Sequence, residues 1–336
     1  MRHWPVFAAV LFFGGVSLPA AEPIALSGRA MGTTWSVRFL PPATPLDSQT
    51  VSHRVPERLE QLEQQFSTYR ATSEISRFNA ADTREWIPVS TEFARVAAEA
   101  RQLSELTQGA FDATVAPLVR LWGFGPDGRA AGRPTRLEIS AARRHVDWRA
   151  VEIRSEPPAL RKKDPLLTVD FSSIAKGFTS DQVGELLRSL GATNYIVQVG
   201  GDVKAEGRGP GGESGWRTGI EVPRPDARAI ACVVELSGEA VSTSGDYRNF
   251  FTAGGRRYGH IIDPRTGEPV SSTLAAVSVI ESSCARSSGL ATALFVLGPD
   301  EGFRLASRER IAALFFIRER GGLVPRMTPE FEARRR

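Results

Sequence analysis

Residues 282–298, "SSCARSSGLATALFVLG", combine a buried helix with a chemically odd start. Leu290, Ala291, Leu294 and Phe295 recur at helical spacing, whereas the first turn carries Ser287, Ser288 and Thr292 and no carboxylate. Residues 288 and 292 are four apart, so their hydroxyls stack on one helix face. A capped helix explains hydroxyls at such a start, and an oxygen-rich ligand site is the sharper possibility. Three other stretches place polar groups where packing does not ask for them. Asp112 sits among apolar residues in "GAFDATVAPLVRLWGFGP", where a turn or N-cap is the plain explanation. In "VDFSSIAKGFTSD", Asp170 closes an apolar run and precedes Ser173, Lys176 and a glycine. An acid at a strand end followed by a helix start with a lysine favours anions, although the spacing is not that of a P-loop. Among four histidines, only His260 lies in a dense polar run, "STSGDYRNFFTAGGRRYGHIIDPRTGEPV", near Asp263 and Arg265. A histidine there can orient a ligand or move a proton, or be structural.

The elements that must carry these residues read as a mixed α/β domain with a partly antiparallel sheet. "GRAMGTTWSVRFL" (28–40) alternates polar and apolar residues and predicts a first strand. Residues 55–65 and 91–107 carry helical periodicity, and "FSTYRATSEISRFN" between them reads as a polar, turn-rich loop. Residues 166–192 read as strand, tight connection and helix, with Gly191 as the stop after the helix end. "NYIVQVGGDVKAEG" (194–207) is a strand running into a Gly-Gly turn, and several short strands follow residue 215. "GFGPDGRAAGRP" (123–134) and "GPGGESG" (209–215) read as surface loops.

The chain of 336 residues opens "MRHWPVFAAVLFFGGVSLPAAEP". One arginine, an apolar run from about Val6 to Val16 and small residues at Ala20 and Ala21 fit a cleaved signal peptide over residues 1–20. The run is short for a bilayer span. With no Arg-Arg pair and no cysteine at the cleavage point, the expected product is exported to the periplasm and not lipid-anchored. Residues 21–336 are enough for one large α/β domain or two small ones. The chain's 42 basic and 38 acidic residues give +4, or +3 without Arg2, and they are scattered, which excludes a nucleic-acid footprint. Lys162 and Lys163 are expected in a solvated turn. Cys232 and Cys284 have no metal spacing, and their pairing stays open.

Read in order, "MGTTWSV", "FSTYRATSEISRFN", "FDATVAPLVRLWGFGP", "DFSSIAKGFTSD", "VQVGGDV", "STSGDYRNFF", "GHIIDPRTGEPV" and "LATALFVLG" resemble the FAD:protein FMN transferase family, also called ApbE. The matching pieces cover most of residues 28–306. The resemblance implies a single compact α/β (α+β) domain. It also implies a transferase that moves FMN from FAD onto a Thr or Ser of a target protein and releases AMP. By matching position, Met31, Tyr69, Ala110, Phe111, Asp112, Asp170, Lys176 and Ile261 line the FAD site, with the Tyr69 ring suited to stack on the flavin. The implied metal is Mg²⁺, held by the Ser173 carbonyl, position 288 and Thr292. The family has an acid where this chain has Ser288, and Glu281, seven residues upstream, is not an obvious substitute. His260, with Asp263 behind it, is the expected proton-accepting pair. The expected partner is a flavin-acceptor protein of an electron-transfer system. Because Ser288 removes a charge from the metal site, a non-transferring flavin carrier or assembly factor for a respiratory complex is the alternative, and FAD hydrolysis is a third.

Overall fold

A computed structural model describes residues 22–42, 46–128, 133–224 and 229–335. The expected signal peptide falls outside the described residues. Eight strands form the central sheet in the order Ile24–Ala30, Thr33–Phe39, Tyr195–Val199, Asp202–Glu206, Ala240–Gly245, Leu274–Glu281, Ala312–Glu319 and Gly322–Met327. Every neighbouring pair in it is antiparallel, so the sheet is more uniform than the partly antiparallel one the sequence suggested.

The two inner strands "LAAVSVIE" and "AALFFIRE" are buried on both faces, and their residues divide by the period of two that a strand imposes. Val277, Val279, Ala313 and Phe315 point into the main core with the helices. Ala276, Ile280, Ala312, Leu314 and Phe316 point to the other face, beneath the hairpin Trp216–Glu221 and Ile230–Leu236. On the helical face lie Ser172–Ser189 and Cys284–Arg308, the second broken at Gly298 before Pro299. Phe66, Phe93, Phe171 and Phe178 meet there with ring centroids 5.2 to 6.4 Å apart. Each such ring stabilises the fold by about 1.5–3 kcal/mol through burial.

The helices at 55–65 and 91–107 are present as Ser48–Phe66 and Thr91–Leu106. Val51, Val55, Leu59, Leu62 and Phe66 give the first its apolar stripe. Gly191 adopts φ +95 just past the helix that ends at Ser189, as expected of a stop residue. Four local expectations fail. The single strand at 28–40 is a hairpin turning at Met31 and Gly32, both left-handed. No strand precedes the helix at 172; residues 167–170 carry no secondary structure and do not pair into the sheet. The supposed loop at 66–79 contains the helix Glu74–Ala80, capped by Ser73. Lys162 is fully buried, because its ammonium donates to the carbonyls of Pro165 (2.8 Å) and Asn79 (3.3 Å). Cys232 and Cys284 are free thiols.

Candidate active site

The acid-free start of the helix Cys284–Arg308 is served by acids from two other elements. Asp181, on the helix Ser172–Ser189, accepts from the Cys284 amide at 2.9 Å, the Ala285 amide at 3.0 Å and the Ser283 hydroxyl at 3.1 Å. These are donors that a helix start leaves open. Ser287 is taken up by the Val279 carbonyl at 2.7 Å. Ser288 is buried and donates to Asp202 Oδ2 at 3.1 Å. One turn on, Thr292 bonds the Ser288 carbonyl at 3.2 Å and shares a hydrogen bond of 2.9 Å with Ser244.

Asp202 follows the Gly200-Gly201 turn and is buried at 4 % exposure. Burial pushes its carboxyl upward, while Lys176 and the hydroxyls of Ser242 and Ser288 pull it down. Ser180 holds its carbonyl at 3.0 Å. Lys176 donates from Nζ to the Ser172 carbonyl at 3.1 Å. The lysine stem runs against Gly200, where a Cβ would lie 2.9 Å from Lys176 Cδ and from Thr33 Cγ2. Gly200 is also left-handed, at φ +59, so both space and backbone require glycine.

The charge of Lys176 also reaches His260. Burial first, and then Lys176, hold the imidazole below its ordinary value, which keeps it neutral at pH 7. His260 Nδ1 lies 3.1 Å from the Asn249 carbonyl, an acceptor, so Nδ1 carries the proton and Nε2 keeps a lone pair. The ring of Phe124 meets the imidazole edge-on.

The residues expected to hold the flavin nucleotide lie in several settings. Met31 and Arg70, the neighbour of Tyr69, share Glu63: the Met31 amide donates to Glu63 Oε2 at 3.2 Å, and Arg70 pairs with Glu63 at 3.5 Å. Tyr69 is 72 % exposed, an aromatic face open to a ligand. Asp170 accepts from the Ser172 amide at 2.8 Å, while its own amide donates to the Ala113 carbonyl at 2.7 Å. It lines a cleft of about 270 Å³ together with Thr68, Ser76, Asn79, Arg120 and Asp127. Ala110, Phe111 and Ile261 are core residues. Asp112 takes the plain role: it caps a short turn through Thr114 and accepts from the Trp148 amide at 3.2 Å. Burial raises it to about 6.

The model of the ApbE family matches residues 31–315. A FAD:protein FMN transferase of Vibrio cholerae serotype O1 is 41% identical over 323 residues, 96% of each chain. The chain belongs to the ApbE family. A FAD:protein FMN transferase of Escherichia coli K12 is 32% identical over 98% of this chain and 95% of its own. Among solved structures, the flavin transferase ApbE from Vibrio cholerae superposes with a TM-score of 0.86 at 39% identity, covering 94% of this chain and 99% of that one. The apo flavinyl transferase ApbE of Pseudomonas stutzeri gives 0.86 at 42% identity, with 94% and 98% covered.

Within the ApbE fold one expected partnership fails. Asp263 does not stand behind His260: both its oxygens are held by the guanidinium of Arg265 at 3.0 Å, and the Arg265 amide adds a third bond at 2.9 Å. The carboxylate whose charge acts on His260 is Asp246. Ser173 is the second residue of its helix, and its neighbour Ile174 meets Gly289, beside Ser288. Asp181, Asp202 and Ser244 escaped the sequence reading. Only Asp202 had a local signal, an acid set directly after a strand and two glycines.

Proposed function

We propose that this chain is an FAD:protein FMN transferase, moving FMN onto a Thr or Ser hydroxyl of a target protein and releasing AMP. One observation carries the reading: the charge of Lys176 acts both on a neutral histidine and on a buried carboxylate–hydroxyl cluster, from a helix whose first turn donates to Asp170. Relatives across the full length carry that name.

FAD lies against the open Tyr69 ring, with its pyrophosphate near Lys176, whose ammonium meets phosphate as a point charge. The target hydroxyl attacks the FMN-side phosphorus. The new P–O bond forms as the bond to the bridging oxygen breaks, and that oxygen leaves with AMP. His260 Nε2 takes the hydroxyl proton, and the Asn249 carbonyl fixes its tautomer. The donors of Ser173, Thr292 and Ser244 are all hard oxygens, a set that fits Mg²⁺. The ion supplies neutralisation of pyrophosphate charge, on which phosphoryl transfer depends. The carrier alternative rested on the acid missing at 288; Asp202, 3.1 Å from that hydroxyl, brings a carboxylate beside the position and favours the transferase reading. The reading of residues 1–20 as an export signal supports a periplasmic reaction, and an electron-transfer protein is the acceptor we infer.

The test incubates the protein with FAD, Mg²⁺ and a flavin-acceptor domain and looks for covalent flavin. Acceptor labelling is expected, lost in His260→Asn. On acidification the rate should halve below 6.5, the ordinary histidine value, because burial lowers His260. Bound FAD without turnover would mean a carrier, and free FMN with AMP a hydrolase.

A further inference from the structure

We propose that Asp202 is the carboxylate ligand of the divalent cation, replacing from a neighbouring strand the acid that the helix lacks at position 288. This rests on the transferase reading above. Asp202 Oδ2 already lies 3.1 Å from the Ser288 hydroxyl, on the side to which an acid at 288 would extend. Its other contacts come from hydroxyls, with Ser242 on the carboxylate and Ser180 on the backbone carbonyl. Among the described residues it forms no ion pair within bonding distance; Lys176, the cation whose charge acts on it, donates its ammonium to the Ser172 carbonyl. A carboxylate buried at 4 % exposure with only hydroxyl partners is costly unless a cation joins it. The Thr292–Ser244 pair lies one helical turn beyond Ser288 and supplies further oxygens. One carboxylate with neutral oxygens and substrate phosphates is an ordinary Mg²⁺ environment. Position matters as much as charge: Asp202 stands at the rigid end of a two-residue hairpin and Thr292 on a helix pinned at its start by Asp181.

Mn²⁺, which suits the same oxygen donors, is the probe. Its binding to the full chain with FAD is followed by electron paramagnetic resonance, and FAD binding is measured separately in EDTA. Wild type should bind one Mn²⁺ per chain. Asp202→Asn should weaken it by at least about tenfold, since even residues that only support a ligand cost that much. FAD binding in EDTA should persist. Asp202→Asn combined with Ser288→Asp should recover most of the lost affinity by returning the acid to the helix. Equal Mn²⁺ affinity in wild type and Asp202→Asn would overturn the proposal and leave Asp202 a counter-charge for Lys176, as would a wild type that binds no Mn²⁺. Should Asp202→Asn not fold, the wild-type crystal with Mn²⁺ and FAD decides: an anomalous peak bonded to an Asp202 oxygen supports the proposal, and a peak elsewhere ends it. Flavin transfer by wild type, with the ion held elsewhere, would sink this ligand and keep the function. Mn²⁺ on Asp202 without transfer would do the reverse.

Discussion

Removing the acid at 181 tests whether one carboxylate holds the start of the helix Cys284–Arg308. In Asp181→Ala, the amides of Cys284 and Ala285 and the hydroxyl of Ser283 lose their acceptor. Each donor left unpaired away from water costs about 1–3 kcal/mol. The carboxylate also bears a desolvation cost in the native protein, because burial raises Asp181 despite those donors. Two orphaned amides less that cost leave a net loss of about 2–4 kcal/mol. Asp181→Asn keeps one acceptor oxygen and should lose about half as much. Urea unfolding followed by circular dichroism reads this directly, against a typical stability of about 5–15 kcal/mol. The pH sign is fixed too. A carboxyl raised in the native state contributes stability that is full below its unfolded value of 3.8 and is lost as pH rises through the raised native value. The penalty of Asp181→Ala should therefore be larger at pH 4 than at pH 7. A penalty under about 0.5 kcal/mol, the scale of a neutral surface change, would refute the capping role. A penalty growing with pH would refute burial as the dominant influence on this acid.

Three further outcomes are expected. Asp112 rises from 3.8 to about 6, so it contributes about 3 kcal/mol below pH 3.8 that disappears as pH passes 6; the unfolding free energy of wild type minus Asp112→Asn should fall over that window, and a flat difference would contradict it. Gly177→Ala places a Cβ 2.3 Å from the Cys284 carbonyl oxygen, where two helices touch through backbone, and should cost about 1–3 kcal/mol by overpacking; an unchanged melting temperature would show that the helices can part freely. Tyr69→Ala removes an exposed ring, so stability should stay within about 0.5 kcal/mol while FAD fluorescence quenching drops; undiminished quenching would remove Tyr69 from the flavin site.

What could be read from the chain was local. Apolar spacing located the main helices, and Gly191 marked an end, because those signals lie within a few residues. The Met31-Gly32 hairpin was hidden because Met31, a non-glycine with φ +54, marks no turn by its type. The helix Glu74–Ala80 is too short and polar for its period to stand out. Lys162 looked solvated because its carbonyl partner at Asn79 lies 83 residues away. The site was legible in its individual residues and illegible in its pairings. Asp181 and Cys284 meet across 103 residues, Asp202 and Ser288 across 86. A helix start with no acid of its own gives no hint that two arrive from outside.

The Gly200-Gly201 turn makes loop length at this point a functional quantity. Val199 pairs with Asp202, and both glycines are left-handed, the backbone that two-residue hairpins of this kind demand. One inserted residue would shift the register by one and exchange the two faces of the strand. Val203, now in the apolar cluster with Val241 and Tyr247, would turn toward Ser288. The carboxylate of Asp202 would turn into that cluster, with no hydroxyl to meet it. A single insertion here would thus remove the acid from the site and bury a charge in the core at once, whereas the exposed turn at 211–212 carries no such constraint.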